Sequence, residues 1–176
     1  MTGKRSSSLP SQKLPTRKRV ACCPQSPHWQ SSFWLSEPEI ENVKKPEYVL
    51  DSYALVAYLQ DEAIADQVEA LLDQAAEKSV TIHVSLVNLG EVAYLVERRH
   101  GTTYCAKVID ELQVFPIEFE QVTLDRVLSA AHVKAHHAIS YADAFVVALA
   151  QELGAIVVTG DPEFKQVESS TNVLWL

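Results

Sequence analysis

Four carboxylates stand where packing alone does not ask for them: Asp51, Glu91, Asp143 and Asp161. Asp143 interrupts an otherwise apolar stretch from Ala142 to Ala150. Glu91 lies in Leu86-Val-Asn-Leu-Gly-Glu-Val-Ala-Tyr-Leu-Val96, which is nearly as apolar. Ionised groups in such surroundings must be hydrogen-bonded, paired or bound to a cation. Asp51 follows the short run Tyr48-Val-Leu50, and Asp161 follows the β-branched run Ile156-Val-Val158. Each acid also has a plain structural role open to it. Asp51 suits the N-cap of a following helix. Asp143, with Ser140, has the spacing of a capping box. Asp161 precedes Pro162, as a cap does when proline takes the first helical position. Glu91 suits an exposed helix face.

Taken as a set, the acids point to metal chemistry. Converging carboxylates raise one another's pKa values, and a hard divalent cation removes that cost. No Cys or His stands near them in sequence, so the set suits Mg²⁺ or Mn²⁺ and not zinc. Acid-held divalent cations suit phosphodiester hydrolysis. Thr159 and Ser52 can hydrogen-bond acids, water or phosphate. Asn88 precedes Glu91 by about one helical turn, so the two are expected to face the same way. The isolated Gly154 and Gly160 do not form a phosphate-binding Gly-x-x-x-x-Gly-Lys-Ser/Thr loop.

The elements that must position these groups alternate between short apolar runs and helical periods. Strands are expected at Tyr48–Leu50, Val80–Val84, Val114–Ile117, Ala155–Val158 and Val173–Leu176, with Pro116 favouring an edge or end position for the third. Helices are expected over Ser52–Leu59, from Asp61 to about Lys78, from a Ser85 cap to Arg99, over Thr102–Leu112, over 120–137, and between a Ser140 cap and Gly154. In the helix over 120–137, Val122, Val127, Leu128, Ala131 and Ala135 are expected inward. This is an α/β pattern, a small mostly parallel sheet of four to five strands flanked by helices. Ligands of such sheets bind beyond the carboxyl ends of the strands. Asp51 and Asp161 lie at such ends, and Glu91 and Asp143 lie in the first turns of helices that start there.

The charge is divided along the chain. The net charge of −8 conceals six Lys/Arg and no Asp/Glu in residues 1–36, against seven Lys/Arg and nineteen Asp/Glu in residues 48–176. Residues 1–47 are basic and rich in Pro and Ser, and are expected to be a disordered tail or the product of a start assigned too far upstream. Arg17-Lys-Arg19 can touch nucleic acid, and Trp29, Phe33 and Trp34 are the tail's only sticky patch. No apolar run reaches the ~18 residues of a membrane span. Cys22, Cys23 and Cys105 cannot make a closed disulfide framework, which points to a reducing cytoplasm. An acidic body binds nucleic acid poorly by charge alone. Metals, a local rim of Arg98, Arg99, Lys107 and Lys134, or the tail must supply attraction. Tyr53, Tyr94 and Tyr141 flank the acids and can stack on bases, although rim or core packing is the plainer role. His136 and His137 suit a helix C-terminus.

Four stretches in this order resemble the PIN domain, in particular the small PIN ribonucleases that serve as toxins in VapBC-type toxin–antitoxin pairs. They are Val49-Leu-Asp-Ser-Tyr-Ala-Leu55, Asn88-Leu-Gly-Glu91, Ile139-Ser-Tyr-Ala-Asp-Ala-Phe145 and Val157-Val-Thr-Gly-Asp-Pro-Glu-Phe164. The resemblance covers residues 48–176. It implies a three-layer PIN-like α/β fold and a hydrolase, an Mg²⁺- or Mn²⁺-dependent endoribonuclease. Asp51, Glu91, Asp143 and Asp161 would be its catalytic and metal-binding acids, and Thr159 and Ser52 supporting polar groups. It further implies a homodimer silenced by a small antitoxin that sends a basic side chain into the acidic pocket. The long basic tail departs from these compact toxins. One alternative is a PIN module that binds or processes RNA without a toxin role. Another is an Mg²⁺-dependent phosphatase with Asp51 as nucleophile, but that chemistry wants a second acid where Tyr53 stands.

Overall fold

Five short strands pair in the order β3-β2-β1-β4-β5 in the computed structural model, which describes residues 44–176. They are β1 (Glu47–Leu50), β2 (Thr81–Ser85), β3 (Ile117–Glu120), β4 (Ile156–Thr159) and β5 (Val173–Trp175). All four pairings are parallel. Parallel neighbours need long crossovers, and helices supply them. α1 (Ser52–Leu59) and α2 (Ala65–Ala76) join β1 to β2. α3 (Leu86–His100) and α4 (Thr102–Leu112) join β2 to β3. α5 (Leu124–His136) and α6 (Tyr141–Leu153) join β3 to β4. A 3-10 turn, Pro162–Gln166, follows β4.

The helices cover both faces of the sheet, which makes three layers. On one face Leu50, Ile82, Val84 and Val158 pack against α1 to α4 through Leu55, Val68, Leu72, Val92 and Val108. On the other, Val49 and Val157 pack against α5 and α6 through Val133, Phe145, Val146 and Leu149. A sheet covered on both faces explains why its inner strands read as unbroken apolar runs. α6 buries every residue from Asp143 to Ala150. It begins with a Ser140–Asp143 capping box and ends at Gly154, whose φ of 67° takes the left-handed conformation that closes helices. Free Cys105 is buried, as a small apolar residue would be.

Four features differ from the sequence expectation. The third strand begins at Ile117, not at Val114. Pro116 has no N–H for a ladder, and Val114 is 86 % exposed. The strand does lie at the sheet edge. The second helix begins at Ala65, because Asp61 has a φ of 55° and turns the chain before helix can form. The fifth helix begins at Leu124, not at 120, because Glu120 ends β3 and Thr123 caps the helix. In α5 the buried residues are Ala130 and Val133, with Val127 partly covered, whereas Leu128, Ala131 and Ala135 are exposed, as is Val122 before the helix. The helix carries two apolar stripes, and α6 takes only one of them. The expectations for Arg17-Lys-Arg19, Cys22, Cys23, Trp29, Phe33 and Trp34 lie outside the described residues.

Candidate active site

The parallel register of β1 and β4 sets Leu50 beside Val158, so the residues that follow these strands meet at one edge. Asp51 caps α1, its Oδ1 accepting the Ala54 N–H at 2.7 Å. Its Oδ2 accepts the hydroxyl of buried Thr159. The same Thr159 oxygen accepts the N–H of Asp161 at 2.9 Å. One threonine thus ties together the acids that follow the two strands. Asp51 is 1 % exposed. Burial pushes its carboxyl up to about 7. The Thr159 and Ala54 bonds oppose that rise, and the charges of Asp143 and Asp161 add to it.

Asp143 stands in the first turn of α6. Its N–H donates to Ser140 Oγ at 3.0 Å, and its Oδ2 accepts the Ser140 N–H at 3.2 Å. Burial raises its pKa against these Ser140 bonds, and the charges of Glu91 and Asp161 raise it further. Asp161 caps the 3-10 turn, its Oδ1 accepting the Glu163 N–H at 2.8 Å. Glu91 is half-buried on α3. Asp51, Asp143 and Asp161 therefore fill the capping roles open to them, and their charges also face one another. Among the described residues, Asp143 Oδ1 and Asp161 Oδ2 keep no hydrogen-bond partner.

A cleft of about 280 Å³ opens over this edge. Glu91, Asp143 and Asp161 line it, with Ser52 and Tyr53 of α1 and two further acids, Glu62 and Glu163. Asp51 and Thr159 are buried and do not line it. Glu62 carries no periodic or capping signal in the sequence; the turn at Asp61 brings it to the rim. Asn88 does not line the cleft with Glu91. It is wholly buried, and its Nδ2 donates to Ser52 Oγ at 3.1 Å while the Ser52 hydroxyl donates to its carbonyl at 3.4 Å. It tethers α3 to α1, and its Oδ1 has no partner. Arg98 and Arg99 line a separate groove with Val56, Leu59 and Tyr104. The Lys134 ammonium donates to the Ile139 carbonyl.

Among the described residues no Lys or Arg lines the acidic cleft, and none of the four acids forms an ion pair. Several carboxylates without a counter-charge, one of them held up at about 7, are a donor set that fits a hard divalent cation. Among the described residues a tighter His–Glu–Glu group lies elsewhere, on β2 and β3. His83 Nδ1 is 3.0 Å from Glu120 Oε1 and 3.8 Å from Glu118 Oε2. Arg126 already holds Glu120 Oε2 at 2.8 Å. The buried His83 Nε2 has no partner, whereas metal-bound imidazoles almost always donate their second N–H. Burial raises the Glu120 pKa, but the His83 and Arg126 bonds outweigh it and hold that carboxyl below its usual range. This group is an ion-pair network that fastens the edge strand to α5.

A three-layer α/β domain with uncompensated acids at the carboxyl edge of a parallel sheet is the class that fold and site define. Residues 48–169 match the model of the PIN domain, and the chain belongs to that family. No curated protein matches the chain in sequence. Solved structures of the same fold include VapBC2 of Rickettsia felis bound to a DNA fragment from its promoter. It has a TM-score of 0.59 and 18 % identity, over 73 % of this chain and 97 % of that one. DNA-bound VapBC of Salmonella typhimurium has a TM-score of 0.58 and 15 % identity, over 73 % and 97 %. VapC20 of Mycobacterium tuberculosis, a toxin that cleaves the sarcin-ricin loop, has a TM-score of 0.56 and 19 % identity, over 70 % and 95 %.

Proposed function

We propose that this chain is a divalent-metal-dependent endoribonuclease and the toxin of a toxin–antitoxin pair. Asp51, Glu91, Asp143 and Asp161 are its catalytic and metal-binding acids, and Mg²⁺ or Mn²⁺ is its cofactor. The observation that carries this reading is the acid cluster itself: charges facing one another across a cleft, without a basic side chain among the described residues, at the edge where open α/β sheets take ligands. Bound there, the cation would activate water and neutralise charge developing on a scissile phosphate.

The chain's own residues prepare that chemistry. Thr159 and the Ala54 N–H hold both oxygens of Asp51. The capping box holds one oxygen of Asp143 and leaves the other open. The cap at Asp161 does the same. Acids oriented by folding need no reorganisation as the reaction proceeds. Structures of the same fold are VapBC assemblies, which supports a small antitoxin as partner. Exposed Leu124 and Leu128 on α5 support a homodimer. No described helix is long and apolar enough to cross a membrane, and cytoplasmic action on RNA is part of the proposal.

The test is incubation of total cellular RNA with the full chain in Mg²⁺, in Mn²⁺ and in chelator, beside Asp143→Asn. Discrete fragments that need both cation and Asp143 are expected. Cleavage that persists in chelator or in the variant would overturn the site assignment.

A further inference from the structure

The acidic cleft offers a polyanion little attraction. Among the described residues no Lys or Arg lines it, and phosphate contacts normally dominate affinity for nucleic acid. Tyr53 is built into the wall of this cleft in a way that folding does not require. It stands in the first turn of α1, lines the cleft and is 42 % exposed. Its hydroxyl has no hydrogen-bond partner among the described residues. The ring nevertheless lies close against Gly160. A Cβ added at Gly160 would lie 2.5 Å from Tyr53 Cε1. Gly160 does not have the positive φ of Gly101 and Gly154, so its backbone does not demand glycine. A larger residue there would have to displace the tyrosine ring. Gly160 lies between Thr159 and Asp161, so the ring rests on the loop that carries part of the acid set.

The geometry points to Tyr53 as a stacking platform for an unpaired RNA base beside the scissile phosphate. The inference rests on the nuclease reading above and adds to it the side chain that receives the substrate's base. Stacking on an aromatic face needs no counter-charge and tolerates any base, so it supplies what the electrostatics of the cleft withhold. A base inside an A-form duplex is already stacked and is not available to such a ring.

Two measurements test this. The first uses a short RNA spanning a mapped cleavage junction, intact or with an abasic nucleotide on either side of the cut. Tyr53→Ala should raise KM by roughly 5- to 150-fold, the usual effect of losing one stacked base, with a much smaller change in kcat. Tyr53→Phe, which keeps the ring, should restore KM. An abasic nucleotide at one flank should make wild type and Tyr53→Ala alike. The second needs no cleavage: short single-stranded RNAs of mixed sequence carrying a central 2-aminopurine are titrated with the full chain in Ca²⁺. Quenching by wild type and Tyr53→Phe but not by Tyr53→Ala is expected. Equal KM for wild type and Tyr53→Ala, or equal quenching, overturns the platform even if cleavage is metal-dependent. Tyr53-dependent quenching without any cleavage overturns the nuclease reading and keeps the platform. Absence of both binding and cleavage overturns the two together.

Discussion

Replacing Asp51 with asparagine should stabilise the metal-free protein at neutral and alkaline pH. In the fold, burial chiefly, with the charges of Asp143 and Asp161, lifts this carboxyl from 3.8 to about 7. Between those values the folded protein holds a proton that the unfolded chain has released. Stability from this group is therefore full below about pH 4 and lost as pH rises through about 7. The whole effect is about 4 kcal/mol at 1.36 kcal/mol per pH unit. Asparagine resembles the protonated acid. Its Oδ1 can still accept the Ala54 N–H, and its amide can donate to Thr159 once that hydroxyl turns to accept. Urea denaturation in chelator should find the two proteins alike near pH 4, and the variant more stable by up to about 4 kcal/mol near pH 8. Mg²⁺ should reverse the order, because only wild type regains stability by binding it. A variant no more stable than wild type near pH 8 in chelator would refute the claim that Asp51 is a buried, uncompensated charge.

Other consequences follow from named contacts. Thr159→Val removes the donor to Asp51 and the acceptor of the Asp161 N–H. It should cost about 2–4 kcal/mol in denaturant melts and move the pH window of Asp51 upward. Arg126→Ala unpairs Glu152 and leaves Glu120 with His83 alone. It should cost about 1–3 kcal/mol while leaving cleavage of RNA intact, since this network lies outside the cleft. Mg²⁺ should raise the melting temperature of wild type but not of Asp143→Asn. That shift should fade as pH falls below the raised carboxyl values of Asp51 and Asp143.

Much of this fold could be read in the sequence because its signals are local. Ser85, Ser140 and Gly154 cap helices where their residue types say they should, and apolar runs covered on both faces mark the inner strands. The misreadings come from places where local signals compete. Around Asp61 a helical period extends past a residue whose backbone turns left-handed. In α5 two apolar stripes lie on one helix, and only the partner α6 decides which is buried. The acids could be found singly by their apolar surroundings. Their mutual approach is a matter of strand register, and the support that Thr159 gives Asp51 spans 108 positions of sequence. Glu62, brought in by a turn, and the seat of Tyr53 on Gly160 leave no trace in local patterns.

The central claim is that these acids direct cation-dependent hydrolysis of RNA by water. Its most direct test is the chemistry of the fragment ends left when the full chain cuts RNA in Mn²⁺ or Mg²⁺. Attack by water in line with the departing 3′ oxygen leaves a 3′-hydroxyl and a 5′-phosphate, and these ends should vanish in chelator and with Asp143→Asn. Fragments ending in 2′,3′-cyclic phosphate, formed by the RNA's own 2′-hydroxyl and indifferent to chelator, would contradict the account.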